Sequence, residues 1–212
     1  MASRGAASDR LALIDYGAGN LHSVENALRA AGAGNILVTA DPAVAAAADR
    51  IVLPGVGAFA NCMGALSAIP GMVEALDEAV IRNARPFLGI CVGMQLMATA
   101  GEEFGRHEGL GWIPGTVAKM DSPNESIRIP HMGWNDVRIE RDHPLIESGE
   151  AYFLHSFAFH TDDPADLLAT TEHGGAITAA VGRANMLGVQ FHPEKSQAYG
   201  LGFLARFLEW QP

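Results

Sequence analysis

Cysteine is scarce in this chain, with Cys62 and Cys91 the only two among 212 residues. Two cysteines are too few for a disulfide scaffold in a chain of this size, so thiol chemistry is the more informative interpretation. A reactive thiol also needs a reducing compartment. The segment Met1–Asp9 is small and polar, lacks the apolar centre of a secretory signal, and is expected to be a flexible tail. We therefore expect a cytoplasmic protein.

Long hydrophobic runs and positive charge are also lacking. No stretch approaches the roughly 20 unbroken apolar residues that cross a membrane. Lys and Arg number 14 against 24 Asp and Glu, whereas binding to nucleic acid or anionic lipid needs clustered basic side chains. Apolar residues are abundant, at 49%, which suits a chain with a sizeable core. We predict a globular protein that binds no nucleic acid and no membrane.

Cofactor motifs are incomplete. The segment Asp15–Gly19 contains a G-x-G pattern but lacks the third glycine of a dinucleotide-binding loop. His131, His155 and His160 are not spaced as H-x-x-H, and no C-x-x-C occurs. The sequence therefore predicts neither a cofactor nor a metal.

The first half of the chain alternates short apolar runs with helical segments. The apolar runs predict strands, and Asp41 with Pro42 opens an alanine-rich helix between two of them. Crossover helices cover both faces of a parallel sheet, so its strands are apolar throughout. The predicted strands span 11–14, 35–39, 50–53 and 86–90, and the first predicted helix spans 21–31.

After about Gly109 the pattern changes to shorter alternating runs, which are typical of antiparallel strands. We expect these strands, at 115–120, 135–140 and 151–159, to join the same sheet, followed by an apolar strand at 187–191. The last predicted helix, 197–210, is amphipathic. The predicted class is α/β, a mostly parallel central sheet flanked by helices with antiparallel additions, in a single domain over residues 10–212. The apolar side of the last helix is predicted to carry Leu201, Leu204, Phe207 and Leu208.

An apolar strand, the sequence Gly-Ile-Cys-Val-Gly and a helical run surround Cys91, which is the pattern of a nucleophile elbow. Such a turn strains the nucleophile, and side chains would collide at the flanking positions, here Gly89 and Gly93. The Cys91 thiol should stand above the sheet edge at a helix N-terminus, where the thiolate is favoured and the amide of Val92 can bind an oxyanion. A small buried cysteine without chemistry is the alternative. For Cys62, in a helical run without such a turn, that alternative is favoured.

A nucleophilic cysteine needs a histidine to take its proton, and the histidine needs a partner that fixes its tautomer. His192 follows a strand predicted to end at Phe191, so it can face an elbow on a neighbouring strand. With Pro193 keeping the backbone extended, Glu194 projects to the same side as His192 and can accept the imidazole proton. An exposed polar turn is the alternative for these residues alone. Together with the elbow cysteine they favour a triad of Cys91, His192 and Glu194.

These motifs resemble those of the triad, or class I, glutamine amidotransferases. The signature consists of Gly-Ile-Cys-Val-Gly-Met-Gln-Leu and Phe-His-Pro-Glu. Five further segments, in the family's order over nearly the whole chain from about Leu11, are similar to the glutaminase subunits of imidazole glycerol phosphate synthases. They are 15–21, 53–59, 129–135, 152–157 and the Lys-Ser-Gln at 195–197.

The resemblance implies a class I glutamine amidotransferase fold, which is flavodoxin-like, and hydrolysis of L-glutamine to glutamate and ammonia through a thioester on Cys91. It implies that Gln95 and the backbone near His155 and Ser156 hold the substrate. The Pro-Gly-Val-Gly loop would supply, through Gly57, a second oxyanion donor beside Val92.

One position departs from the family pattern. Phe157 stands where many members have a tyrosine after the His-Ser pair, so a role for a hydroxyl there is not expected.

Ammonia released into neutral water would be protonated and lose its nucleophilicity, so a tunnel to an acceptor site is expected. The predicted elements leave no room for an eightfold βα repeat in this chain. The resemblance implies a separate partner, the (βα)8-barrel cyclase subunit of imidazole glycerol phosphate synthase, in a heterodimer. That cyclase makes imidazole glycerol phosphate and AICAR from PRFAR in histidine biosynthesis.

Three alternatives remain open. Another triad amidotransferase subunit, serving anthranilate, carbamoyl phosphate or pyridoxal phosphate synthesis, is disfavoured by Pro-His-Met-Gly-Trp-Asn and His-Pro-Glu-Lys-Ser. A non-catalytic interaction protein that keeps only the fold is disfavoured by the intact Cys91, His192 and Glu194. An esterase or peptidase with a related elbow would act on ester or peptide substrates without a partner.

Overall fold

The computed structural model describes residues 9–121 and 127–212. Most of the predicted flexible tail, residues 1–8, lies outside the described residues. Asp9, the last residue assigned to the tail, accepts a hydrogen bond of 3.1 Å from the Arg50 guanidinium. The boundary between the tail and the single domain stays a prediction.

Strands and helices alternate along the first half and strands dominate the second. The strands of the first half are β1 (Arg10–Ile14), β2 (Asn35–Thr39), β3 (Arg50–Gly55), β4 (Phe87–Cys91), β5 (Ala98–Gly101) and β6 (His107–Glu108). Those of the second half are β7 (Ile113–Lys119), β8 (His131–Ile139), β9 (Gly149–His155), β10 (Phe157–Thr161), β11 (Leu167–Glu172), β12 (Ala176–Arg183) and β13 (Met186–Val189). The helices are α1 (Leu21–Ala30), α2 (Pro42–Ala46), α3 (Phe59–Ser67), α4 (Met72–Asp77), α5 (Val92–Gln95) and α6 (Gln197–Glu209).

Nine of the strands in the described ranges form one mixed sheet in the order β2-β1-β3-β4-β13-β12-β11-β8-β9. The pairs from β2 to β13 are parallel and those from β13 to β9 are antiparallel. The predicted α/β class, with a parallel core and antiparallel additions, is confirmed. Strands β4 and β13 lie at the centre and pair in parallel, so the carboxyl ends of both face the same edge.

The central strands are apolar because they are covered on both faces. Every residue of β3 and β4 is buried. The charged exception, Arg50 at the start of β3, donates hydrogen bonds to the carbonyl oxygens of Phe207 at 3.0 Å and Trp210 at 2.6 Å, at the end of α6. These bonds supply the partners that a buried guanidinium requires.

Helix α6 agrees with the predicted helix except on which residues face inward. Leu204, Phe207 and Leu208 are buried as predicted, but Leu201 is 38% exposed. Phe203 is fully buried in its place. The Phe203 ring packs edge to face against Phe191, with ring centroids 5.5 Å apart, so Phe203 takes the inward position that was predicted for Leu201.

The expectation that all later strands join one sheet is wrong. The predicted strand 151–159 is interrupted at Ser156, so β9 lies in the large sheet while β10 lies in a second one. Strand β7 also belongs to this second sheet, whose order among the described residues is β10-β7-β5-β6. Strand β5, which no sequence pattern predicted, is the strand with which β7 pairs in parallel.

No single helix in the described part of the chain is long and apolar enough to cross a membrane. The helical segments Phe59–Ser67 and Met72–Arg82 together meet the requirements of length and composition, but they bend by 93° between them. Their inward side chains, Phe59, Leu66 and Leu76, are buried in the core.

Candidate active site

Cys91 ends β4 in a strained turn. Its φ of 54° is unusual for a residue with a side chain, as expected of a nucleophile elbow. A Cβ at Gly89 would lie 2.6 Å from the Gly93 carbonyl oxygen, and a Cβ at Gly93 would overlap the Leu53 carbonyl oxygen on β3. The prediction that only glycine fits on either side of the turn is confirmed.

The helix that was predicted after the elbow is present and is short. Helix α5 ends at Gln95 because β5 begins at Ala98, so it forms little more than one turn. Its dipole is correspondingly small. The amides of Val92 and Gly93 in its first turn directly follow Cys91 in the chain and lack intrahelical acceptors.

His192 lies next to Cys91 and is bonded to Glu194, with 2.9 Å between the ring Nδ1 and the carboxylate Oε1. Both side chains are buried. The backbone between them is not extended as predicted, since Pro193–Lys195 forms a 3₁₀ turn. The fixed φ of Pro193 suits that turn as well as an extended chain, and the turn itself brings the carboxylate to the ring.

Two backbone contacts fix His192 after β13 has ended at Val189. Its N–H donates to the Tyr152 carbonyl oxygen on β9 at 2.8 Å. Its carbonyl oxygen accepts from the Ser196 hydroxyl at 2.6 Å, and the same hydroxyl accepts from the Tyr152 N–H at 2.9 Å. The ring is thus held between the central strands and β9.

Burial alone would lower the pKa of His192, but the Cys91 sulfur and the Glu194 carboxylate outweigh it and raise the pKa to about 10. An imidazole with a raised pKa is protonated at neutral pH. The arrangement therefore sets an imidazolium beside the Cys91 sulfur.

A cavity of about 150 Å³, lined in part by Cys91, has room for a molecule the size of an amino acid. All the predicted site residues except Glu194 line it, and Glu194 lies behind His192. The lining residues are Val56, Gly57, Cys91, Val92, Gln95, Glu103, Leu154, His155, Ser156, Phe157, His192 and Lys195.

Side chains around this cavity are tied together by directional hydrogen bonds. The Phe157 carbonyl oxygen accepts from His155 Nδ1 at 2.9 Å and from Gln95 Nε2 at 3.2 Å. His155 Nε2 therefore accepts from His131 Nδ1 at 3.0 Å, and His131 Nε2 accepts from the Asn135 amide at 3.0 Å. Both rings are neutral in this pattern. The His155 side chain is therefore committed to Phe157 and His131, and the Ser156 carbonyl oxygen accepts from the Met120 N–H at 3.0 Å.

Burial and the neighbouring histidines lower the pKa of His131 to about 3. Burial is also the largest influence on His155, whose pKa falls to about 4 despite the Phe157 carbonyl. No group of three or more His, Cys, Asp or Glu side chains within residues 9–121 and 127–212 is placed to hold a metal ion.

The model of the glutamine amidotransferase class-I family matches residues 12–209. This chain belongs to the class-I glutamine amidotransferases. The protein named imidazole glycerol phosphate synthase subunit HisH in Zymomonas mobilis is 63% identical, over 97% of this chain and 98% of that protein. Its namesake in Rhodospirillum rubrum is 55% identical, over 96% of this chain and 100% of that protein.

Solved structures agree on the fold. A crystal structure of a glutamine amidotransferase superposes with a TM-score of 0.71 at 18% identity, covering 92% of this chain and 98% of that one. The glutaminase domain of Trypanosoma brucei CTPS superposes with a TM-score of 0.63 at 20% identity, covering 94% of each chain. The class I amidotransferase fold expected from the resemblance is confirmed.

Three residues of this amidotransferase site were missed from the sequence. Glu103 lines the cavity and is held by the Phe59 N–H at 2.8 Å, but nothing in the sequence separates it from Glu102. Tyr16, within a glycine-rich segment, donates to the Pro54 carbonyl oxygen at 2.7 Å behind the Pro-Gly-Val-Gly loop. Gln190 is a fully buried amide. A polar residue inside the apolar run 187–191 could have identified it from the sequence as a candidate site residue.

Cys62 also contacts the Pro-Gly-Val-Gly loop. Its thiol donates to the Val56 carbonyl oxygen at 3.4 Å. Burial raises the pKa of Cys62, so the group stays a protonated donor. The prediction that Cys62 is a packed residue agrees with its burial, and its hydrogen bond gives it a place next to the site.

Proposed function

We propose that this chain is the glutaminase subunit of an imidazole glycerol phosphate synthase. It hydrolyses L-glutamine and delivers ammonia to a separate cyclase subunit in histidine biosynthesis. The observation that carries the proposal is the buried contact of Cys91 with the His192–Glu194 pair at the floor of a cavity sized for an amino acid. The names of the two relatives given above support the choice of pathway.

The Cys91 thiolate attacks the side-chain amide carbon of glutamine and forms a C–S bond. The amides of Val92 and Gly57 receive the oxyanion of the tetrahedral intermediate. Gly57 lines the cavity and has a φ of 105°, where only glycine is unstrained, so its peptide can turn toward the substrate.

His192 then gives its proton to the departing nitrogen as the C–N bond breaks, which releases ammonia and leaves a γ-glutamyl thioester. The neutral ring next takes a proton from water, whose oxygen attacks the thioester carbon. The C–S bond breaks, glutamate leaves, and the thiolate–imidazolium pair is restored. Glu194 keeps Nδ1 protonated throughout, so that Nε2 faces the reaction.

The cavity offers complementary groups for the backbone end of glutamine. Because Gln95 uses its amide nitrogen on Phe157, its oxygen is left as an acceptor. That oxygen and the Glu103 carboxylate suit the α-ammonium group. The backbone near His155 and Ser156, two residues that line the cavity, would hold the α-carboxylate. Phe157 contributes a backbone carbonyl, so the missing tyrosine hydroxyl is not needed for this arrangement.

An exposed apolar face next to the cavity suits the cyclase. Met132 and Trp134 on β8 pair in register with Leu154 and Tyr152 on β9. Met132 is 65% and Trp134 46% exposed, and Leu154 also lines the cavity. We call Met132, Trp134, Leu154 and Val56 the mouth face. Contiguous exposed apolar side chains mark interaction surfaces, and a partner docked here would receive ammonia directly in a heterodimer.

The deciding experiment measures glutamate release from glutamine by the purified chain, alone and with a cyclase subunit plus its nucleotide ligand. We expect strong stimulation by the cyclase. Cys91→Ala should lower the stimulated rate by at least about 10³-fold, whereas exposed His160→Ala, a surface change on β10, should keep it.

Three outcomes would overturn parts of the proposal. If Cys91→Ala matched the wild type, the nucleophile would be wrong. If only a different synthase stimulated release, the chemistry would stand and the pathway would fall. Turnover of simple esters or peptides without any partner would favour a hydrolase of another class.

A further inference from the structure

Gln190 lies between the Cys91 sulfur and the Gln95 side chain, and it is fully buried. We infer that Gln190 is a catalytic residue, a hydrogen-bond donor that stabilises the Cys91 thiolate. The inference rests on the proposed function in one respect, that Cys91 is the nucleophile.

The direction of the bonds follows from one group that can only accept. The Phe157 carbonyl oxygen faces Gln95 Nε2 at 3.2 Å, so the Gln95 side chain must present its NH₂ group there. The same NH₂ group faces Gln190 Oε1 at 3.0 Å. Gln190 therefore turns its own NH₂ group to Cys91 Sγ at 3.6 Å, a suitable N–H···S distance because sulfur is larger than oxygen.

The reversed orientation of Gln190 has no support. It would place two NH₂ groups face to face and set an amide oxygen against the sulfur. The facing NH₂ groups would leave buried N–H donors unpaired, at a cost of about 1–3 kcal/mol. The amide oxygen would lie against the thiolate that the reaction requires.

The sheet also fixes where Gln190 stands. Val189 on β13 is paired with Ile90 on β4, so the next residues, Gln190 and Cys91, lie side by side. The Gln190 N–H donates to the Ala179 carbonyl oxygen on β12 at 2.9 Å, which prevents the strand end from fraying. The donor is therefore preorganised, which is what a stabilising group in an active site requires.

The Cys91 sulfur lies closer to a hydrogen-bond donor, the Gln190 amide nitrogen at 3.6 Å, than to an acceptor, the Leu154 carbonyl oxygen. The Leu154 carbonyl oxygen, which would accept a proton from the thiol, is 3.9 Å away, at the limit of a sulfur hydrogen bond. A bond to an ion is about twice as strong as one between neutral groups, so an amide donor favours the thiolate over the thiol. Gln190 thus acts on the ionised sulfur together with His192.

Other titratable groups face Cys91 and stay unchanged when Gln190 is replaced. His192 and Glu194 follow β13. His155 ends β9 and interacts electrostatically with His192. Cys62 on α3 and Tyr16 after β1 each interact electrostatically with Cys91. Glu103 and Lys195 line the same cavity. A change in thiolate formation in a Gln190 variant is therefore assigned to the lost donor.

The test follows the rate of Cys91 alkylation by iodoacetamide against pH, with the modified peptide measured by mass spectrometry. Gln190→Met keeps the length of the side chain but has no donor. We expect its alkylation below neutral pH to slow about tenfold, the equivalent of one hydrogen bond to an ion, with kcat for glutamine falling by about as much and KM changing little. Exposed Gln211→Met is the matched control and should leave both unchanged.

An unshifted alkylation profile with normal kcat in Gln190→Met would overturn the inference. If that variant does not fold, the wild-type chain with ¹⁵N-labelled glutamine gives the answer. The NMR chemical shift of the Gln190 side-chain amide should change with pH as Cys91 ionises and should not change in Cys91→Ala. A chemical shift that does not follow the ionisation of Cys91 would also contradict the inference. Loss of activity in Cys91→Ala with a normal Gln190→Met would sink this inference alone and leave the proposed function standing.

Discussion

The nucleophile turn depends on two backbones approaching more closely than any side chain allows. At Gly93 an added Cβ would overlap the Leu53 carbonyl oxygen, which belongs to the buried strand β3 and cannot move aside. Leu53 pairs with Gly89 on β4, and β3 itself lies between β1 and β4. The conflict would therefore be relieved only by displacing Cys91 itself.

We predict that Gly93→Ala destabilises the fold by about 3 kcal/mol or more, in line with overpacking of a rigid site. Gly64→Ala is the matched control, because a Cβ there meets nothing within 4 Å on helix α3 and alanine is the better helix former. It should stabilise by about 0.5–1 kcal/mol. Urea unfolding of both variants gives the comparison. Similar midpoints for the two variants would contradict the geometry described.

At the scale of elements, β8 and β9 are joined by the hydrogen bond between His131 and His155. Both rings are buried and neutral, and their pKa values, about 3 and about 4, lie below the usual 6.5. In the unfolded chain the two rings gain protons as the pH falls below about 6.5, whereas in the folded chain they stay neutral down to about pH 4. Acid therefore favours the unfolded state over that window.

The free energy of unfolding should fall between pH 6.5 and 4, by up to about 1.4 kcal/mol per pH unit for each histidine. Replacing His155 with Asn should reduce the slope, measured by urea unfolding at a series of pH values. His160→Asn on the exposed side of β10 controls for the loss of a histidine in general. If the slope of His155→Asn equalled that of the wild type, the buried rings would not be the cause.

Local constraints were readable from the sequence at this scale. Strand β2 has the predicted ends, and Asp41 caps α2 with a 2.8 Å bond to the Ala43 N–H. Apolar runs, caps and the glycines of the elbow each act within a few residues, so pattern alone reveals them. The contact of His192 with Cys91 was inferred because parallel strands end at one edge.

Contacts between residues far apart in the chain could not be predicted from the sequence. Alternation predicted β7 and β10 as strands but could not say that β5 would pair with β7 in a second sheet. Pro193 suits two backbone conformations, so the turn that carries Glu194 was assigned wrongly although the bond itself was expected. The hydrogen-bond directions through Gln95 and Gln190 depend on a carbonyl from β10, which no local pattern reveals.

At the scale of the whole molecule, the sheet has two different edges. Strand β2 forms one, and β9, which carries Leu154 of the mouth face, forms the other. The active site opens beside β9, so a partner that collects ammonia must cover this edge. An exposed apolar residue on β2 therefore lies on the other edge of the sheet.

We predict that Met132→Asp leaves the folded chain intact but abolishes stimulation by the cyclase. A buried carboxylate at an interface without a partner is costly. Val38→Asp on β2, 42% exposed, makes the same chemical change at the opposite edge and should be stimulated normally. Binding by calorimetry and stimulated glutamate release are the measurements. Normal stimulation of Met132→Asp would move the docking site elsewhere.

The register of β4 with β13 brings together residues 99 positions apart in the chain, Cys91 and Gln190. Such distant contacts form late when a chain folds, since the loop between them must close first. A slip of one residue would turn the side chains to the opposite face. During refolding, enzyme activity should therefore return only after β4 has paired with β13. The rate at which glutamine hydrolysis recovers would then report when these two central strands pair.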